Sequence, residues 1–206
     1  MAANMLYSPI MVSDEILCMH FCKDPNYRSV NEVSEEVITF FFQRELLFLR
    51  ELNYFNFTPK ILDVNNSERK IYIEWNKETL SQIVNDPNRS IDDEIPDWKE
   101  QLHNIVKELN DAGYYKMALY PHCFFVKDGI IKTMDYYSII SKEERYLDRN
   151  LLEGFIGKEG AYRFNESTVD GKIDFKKFFN ITMTKHLENY WPDNPFPVWY
   201  NELYND

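Results

Sequence analysis

The sequence is short of positive charge and of cysteine, and it has no long apolar run. Twenty-three Lys and Arg stand against 34 Asp and Glu, a formal net charge of −11. Without clustered positive charge there is no electrostatic drive toward nucleic acid or an anionic membrane surface, so neither is expected as a partner. Without a stretch of ~20 apolar residues no membrane-spanning helix is expected. Cys18, Cys22 and Cys123 are too few, and odd in number, to form the disulfide framework of a secreted domain. The N-terminal residues lack a basic segment leading into a signal-type apolar core, and the expected location is cytoplasmic. What is present is a chain of 206 residues, 44% hydrophobic and 16% aromatic. A chain of this length buries about 70% of the surface its unfolded form exposes and builds a core unaided.

Apolar spacing supplies the elements. Ile16 to Cys22 reads as a buried strand, with room before it for one strand, or two short ones. Val37, Ile38, Phe41, Phe42, Leu46, Leu49 and Leu52 recur at helical spacing and predict an amphipathic helix over Val33 to Leu52. Lys60 to Val64 and Lys70 to Trp75, joined by the polar turn Asn65-Asn66-Ser67-Glu68, predict a hairpin that shares one antiparallel sheet with the first strand, the helix packed on it. Thr79 and Gln82 form a T-x-x-Q capping box opening a short helix to about Val84. Asp97 caps a second long helix with Trp98, Leu102, Ile105, Val106 and Leu109 on one face, stopped by Gly113. Asp128-Gly129 between Cys123 to Val126 and Ile130 to Met134 is a hairpin signal. Ser141-x-x-Glu144 reads as a further capping box, opening a helix with Tyr146, Leu147, Leu151 and Phe155 inward. Helix is also expected around Phe175 to Trp191, before a tail whose Trp199, Tyr200 and Tyr204 pack rather than dangle. Strands early and helices late make an α+β order, which by itself selects no function.

One segment says more. Leu109 to Tyr137, LNDAGYYKMALYPHCFFVKDGIIKTMDYY, resembles the catalytic region of the protein-kinase-like superfamily, in which a helix and glycine turn lead to an H-x-D-L-x-x-x-N loop, a hairpin and D-F-G. On that pattern Lys116 falls at the His, Ala118 at the catalytic Asp, Cys123 at the metal-binding Asn, and Asp135 at the metal-binding Asp. Upstream, Arg44 to Leu52 is similar to the helix that presents an ion-pairing Glu, best matched by Glu45. The position of the nucleotide lysine is held by His20, or by Lys23 in a shifted alignment. Ile71 to Trp75 followed by Glu78-Thr79-Leu80 resembles the strand, hinge and next helix of small-molecule and bacterial branches. All six glycines lie at 113 or later, so the Gly-rich phosphate loop has no counterpart.

The resemblance implies a small two-lobed kinase-like fold: an antiparallel sheet and one long helix over residues 1–75, then a mainly helical part over 76–206. It implies His20, Lys23 and Glu45 as candidate cofactor-binding residues and Asp135 as a candidate metal ligand. Lys116 is a candidate replacement for the missing loop cation. Ala118 cannot act as a base, a loss on the order of 10²- to 10⁴-fold in rate, and Cys123 is a poor ligand for hard Mg²⁺. His122 and Cys123 beside Asp135 are a weak signal for a soft metal, since adjacent ligands lack a second pair at metal spacing. The expected function is that of a pseudokinase, a binding or scaffolding module with a protein partner and no required cofactor, ATP with Mg²⁺ or Mn²⁺ being its optional ligands. The alternative is an atypical phosphotransferase or nucleotidyltransferase with Asp135 on the metal, supported by the acidic segment Asp92-Asp93-Glu94.

Overall fold

A computed structural model describes residues 7–22, 34–116, 118–141, 146–147, 168–170, 172–174, 177, 187, 190–192, 194–196 and 198–199. The chain opens with β1 (Ser8–Ser13) and β2 (Ile16–His20), an antiparallel pair. After α1 (Glu35–Glu51) come β3 (Ile61–Asn65) and β4 (Lys70–Glu74). The four strands form one antiparallel sheet in the order β1-β2-β4-β3, as expected for the three strands named from sequence. Strand alternation divides β2: Leu17, Met19 and the following Phe21 join the core, while His20 lies on the opposite face, in register with Lys70. β1 is an edge strand, with Ile10, Met11 and Val12 exposed.

Helix α1 starts where an N-cap is available. The Ser34 hydroxyl accepts the Val37 N–H at 3.3 Å, Glu35 and Glu36 sit in the first turn and Arg50 in the last, each at the end its charge favours. Its buried face is Ile38, Phe41, Phe42, Glu45, Leu46, Phe48 and Leu49. Glu45 is the one charged side chain in that stripe.

The remaining described chain carries α2 (Leu80–Val84), α3 (Ile91–Glu94), α4 (Trp98–Asp111), β5 (Tyr114–Lys116), β6 (Phe124–Lys127), β7 (Ile130–Thr133) and β8 (Ile139–Ser141). The Thr79 N–H donates to Gln82 Oε1 at 2.8 Å, the return bond of the expected capping box. Asp97 precedes α4 as expected but does not cap it; its carboxylate accepts from Gln101 Nε2 at 3.0 Å. Gln101 also pins the β6–β7 hairpin, accepting the Ile131 N–H at 2.7 Å and donating to Gly129 O at 3.0 Å.

That hairpin turns on Asp128 and Gly129, with φ of 54° and 78°, the pair of positive values a type I′ turn requires. Nothing lies within 4 Å of a Cβ added at Gly129, so a side chain there meets backbone strain alone. Gly129→Ala is expected to cost about 1 kcal/mol, read as a lower denaturation midpoint with an unchanged slope.

One expected helix is corrected. Ser141 ends β8, paired with Tyr114 of β5, and Tyr146–Leu147 forms β9, paired with β11 (Lys172–Asp174), which also pairs with β10 (Thr168–Val169). Extended pairing with distant strands outweighs the local capping pattern Ser141-x-x-Glu144, whose residues 142–145 lie outside the described set. Leu151, Phe155, most of the Phe175 to Trp191 segment, Tyr200 and Tyr204 also lie outside it. In the tail, Trp191 and Phe196 are buried, Trp191 stacking on Trp98 of α4 with centroids 5.4 Å apart. Both belong to the core. Among the described residues no helix is long and apolar enough to cross a membrane.

Candidate functional site

The site is built on the turn that follows β7. Asp135 has φ 61° and ψ 46°, a left-handed conformation that aspartate tolerates better than most residues, and a 3₁₀ turn over Tyr136–Ser138 follows. The reversal concentrates donors on the Asp135 carbonyl. It accepts the Ser138 N–H at 3.1 Å, the Ser138 hydroxyl at 2.6 Å and Lys116 Nζ at 3.2 Å. Lys116 Nζ also donates to Met134 O at 2.6 Å. The Ala118 N–H donates to Ser138 Oγ at 3.3 Å, so the loop after β5 is tied to the Asp135 turn through main-chain and hydroxyl groups.

The Asp135 side chain is buried, and its Oδ1 accepts the Tyr7 hydroxyl at 2.7 Å. Tyr7, the residue before β1, is itself buried against Phe21 and Tyr137. Burial first, and the Asp135 carboxylate second, push the Tyr7 hydroxyl up from its ordinary pKa, which keeps it a donor. Burial first, then the same carboxylate, push the Cys123 thiol up from its ordinary pKa. Cys123 is placed by a 3₁₀ turn over Pro121–Cys123.

Helix α1 reaches the turn from the other side. Glu45 is wholly buried, and its Oε2 accepts the Tyr137 N–H at 2.5 Å; its Oε1 is buried without a hydrogen-bond partner. Burial, then the Asp135 charge, push the Glu45 carboxyl up to about 8, against the Tyr137 N–H and Lys116, which pull it down. Arg44 Nε donates to Tyr137 O at 3.2 Å, and its Nη2 donates to Ile139 O. The Tyr136 hydroxyl bonds Thr58 Oγ1 at 2.7 Å, and Thr58 donates to Leu52 O at 2.7 Å. Strand β8 and the turn before it are thereby sewn to α1.

The structure brings Glu45, Lys116, Ala118, Cys123 and Asp135 together around one turn. It does not bring His20 there: the strand pleat sets that ring by Lys70 and Glu68, where partial burial, then Lys70, lower its pKa. Lys23 lies outside the described residues. Lys116 donates to the carbonyls of Met134 and Asp135. The acidic segment is engaged elsewhere, Asp92 accepting the Trp98 indole N–H at 2.7 Å and Glu94 pairing with Arg89. Tyr7, Ser138 and Arg44 were not legible as site residues. Tyr7 lies 128 residues from Asp135, and only the β1–β2 register, Ser8 opposite His20, sets it beside Phe21.

No family model matches the chain, and no curated protein matches it. Solved structures of WbdD do. A complex of WbdD with a kinase inhibitor aligns with 95% of this chain and 48% of its own, at 14% identity and a TM-score of 0.51. WbdD, described as a bifunctional kinase-methyltransferase, aligns in another structure over 62% of this chain and 28% of its own, at 17% identity and a TM-score of 0.46. The chain thus spans less than half the length of these structures. The first match shows the fold, a small kinase-like α+β arrangement, and nothing finer.

Proposed function

We propose that this chain is a pseudokinase: a kinase-like module, dividing near residues 75 and 76, that binds or scaffolds a protein partner and does not transfer phosphate. The observation that carries this reading is the engagement of Asp135. Its carboxylate, at the position that holds magnesium in the resembled fold, is buried and accepts the Tyr7 hydroxyl. The Tyr7 hydroxyl thereby takes up one of the two carboxylate oxygens. Three further features support the reading. Ala118 has no proton acceptor, Lys116 is spent on main-chain carbonyls, and Glu45 receives a main-chain N–H where an active kinase pairs its glutamate with lysine. The exposed apolar strip Ile10, Met11 and Val12 on the sheet edge is the feature that supports a protein as partner.

The reading is tested with ATP labelled at the γ and at the α phosphate, with Mg²⁺ or Mn²⁺, offered protein and small-molecule acceptors. No transfer above background is expected. A labelled product that disappears in Asp135→Ala makes the chain an atypical transferase instead. A nucleotide titration followed by thermal melting is expected to be flat, whereas a ligand at 100 times its Kd adds about 2.7 kcal/mol of stability.

A further inference from the structure

One set of donors at the same turn has a chemistry that reading does not draw on. One ligand atom each from His122, Cys123 and Asp135 lies within 4.8 Å of the other two. Nitrogen, sulfur and oxygen donors do not suit magnesium, which takes oxygen ligands in a strict octahedron. They suit a borderline divalent ion that accepts imidazole, thiolate and carboxylate at tetrahedral spacing. We propose that His122, Cys123 and Asp135 bind a divalent transition-metal ion of the zinc class, leaving a fourth position for water.

The supports of the three ligands are rigid. The Cys123 N–H donates to Tyr120 O at 2.8 Å, and its carbonyl accepts the Met134 N–H at 2.7 Å, which locks the cysteine to the residue before Asp135. The His122 ring lies flat on Tyr120, with centroids 5.3 Å apart and planes 7° apart. Asp135 is fixed by its left-handed turn. Ligands held in this way need little reorganisation on binding.

Charge also fits. Without metal, the Cys123 sulfur lies within 4.8 Å of the Asp135 carboxylate, and both groups become ligands when a cation replaces the thiol proton. The metal–sulfur bond forms as the S–H bond breaks, and the proton leaves to water. A divalent ion with one thiolate, one carboxylate and one neutral imidazole has no net charge, the arrangement a buried site tolerates best. The Lys116 ammonium stays on its two carbonyls, outside the ligand set. His122 is half-buried while Cys123 and Asp135 are buried, so the ion approaches past the imidazole. The site does not depend on the pseudokinase reading, since it uses no nucleotide.

The test uses the full chain, freed of metal with a chelator and titrated with Co²⁺, Zn²⁺ and Mg²⁺. Expected are a thiolate-to-cobalt charge-transfer band with the visible bands of a four-coordinate ion, displacement of both by Zn²⁺, release of one proton per ion, and no competition from Mg²⁺. Cys123→Ser is expected to abolish the charge-transfer band. His122→Ala, at a half-buried ring and with its fold checked by circular dichroism, is expected to weaken Zn²⁺ binding at least about tenfold. Cys18→Ser, at a buried thiol on the outer face of the sheet, is expected to leave the band unchanged. A chain that gives no thiolate band, or one whose band survives Cys123→Ser, overturns the proposal. So does a His122→Ala variant that binds Zn²⁺ as tightly as the wild type.

Discussion

Trp191→Ala is expected to remove about 3–5 kcal/mol of stability and to lower the melting temperature by roughly 10 °C for a chain of this size. The indole joins three parts of the molecule. It stacks on Trp98 of α4 with planes 9° apart, and meets Phe124 of β6 and Phe196 edge-on at 6.0 and 5.7 Å. Its N–H donates to Leu119 O at 2.7 Å, within the loop that carries Ala118. Truncation therefore leaves a cavity beside an unpaired buried carbonyl, two costs that add. Trp191→Phe weights the second cost, because it keeps a buried though smaller ring and loses the donor, and is expected to cost less, about 2–3 kcal/mol. Chemical denaturation of the two variants beside the wild type measures both. A Trp191→Ala midpoint within error of the wild type means the tail does not pack on α4.

How legible each element was depended on how local its determinant is. Helix α1 was legible because its cap, its first-turn acids and its apolar stripe all lie within about twenty residues, and the β3–β4 hairpin because its turn residues bond each other. Asn65 Oδ1 there accepts from the Ser67 hydroxyl and the Glu68 N–H. Strand β9 was not legible, because Tyr146–Leu147 is held by a ladder to residues 173 and 174, beyond any local window. Strand phase explains His20. The run Ile16 to Cys22 identified a strand, but a one-residue change in phase exchanges its faces, and the face toward α1 carries Met19 and Phe21, both apolar. The neighbours of Asp135 divide the same way. Lys116 and Cys123 arrive on the same loop and hairpin as Asp135 itself, whereas Tyr7 comes from the far end of the chain. Local sequence therefore marked the residues of the loop and hairpin, and only the fold placed a phenol on the carboxylate.

Stability is expected to fall between about pH 4.5 and pH 8, through Glu45. Its carboxyl has a pKa near 4.5 when exposed and about 8 in the folded protein. Between those values the folded protein holds a proton that the unfolded chain has released, so raising the pH favours unfolding. The contribution is whole below 4.5, is lost progressively as pH rises, and is gone above about 8. One proton sets a limiting slope of about 1.4 kcal/mol per pH unit, several kcal/mol across the window. Glu45→Gln carries no titrating proton and keeps an oxygen for the Tyr137 N–H, so its stability is expected to be level where the wild type declines. Urea denaturation of both proteins at half-unit steps from pH 5 to 8.5 measures the difference in slope, which cancels contributions from other groups. Parallel curves mean that Glu45 is charged in the folded protein and that a cation compensates it. Diverging curves mean that this helix presents a neutral acid to the Asp135 turn, and a neutral acid cannot form the lysine–glutamate pair on which kinase activity depends.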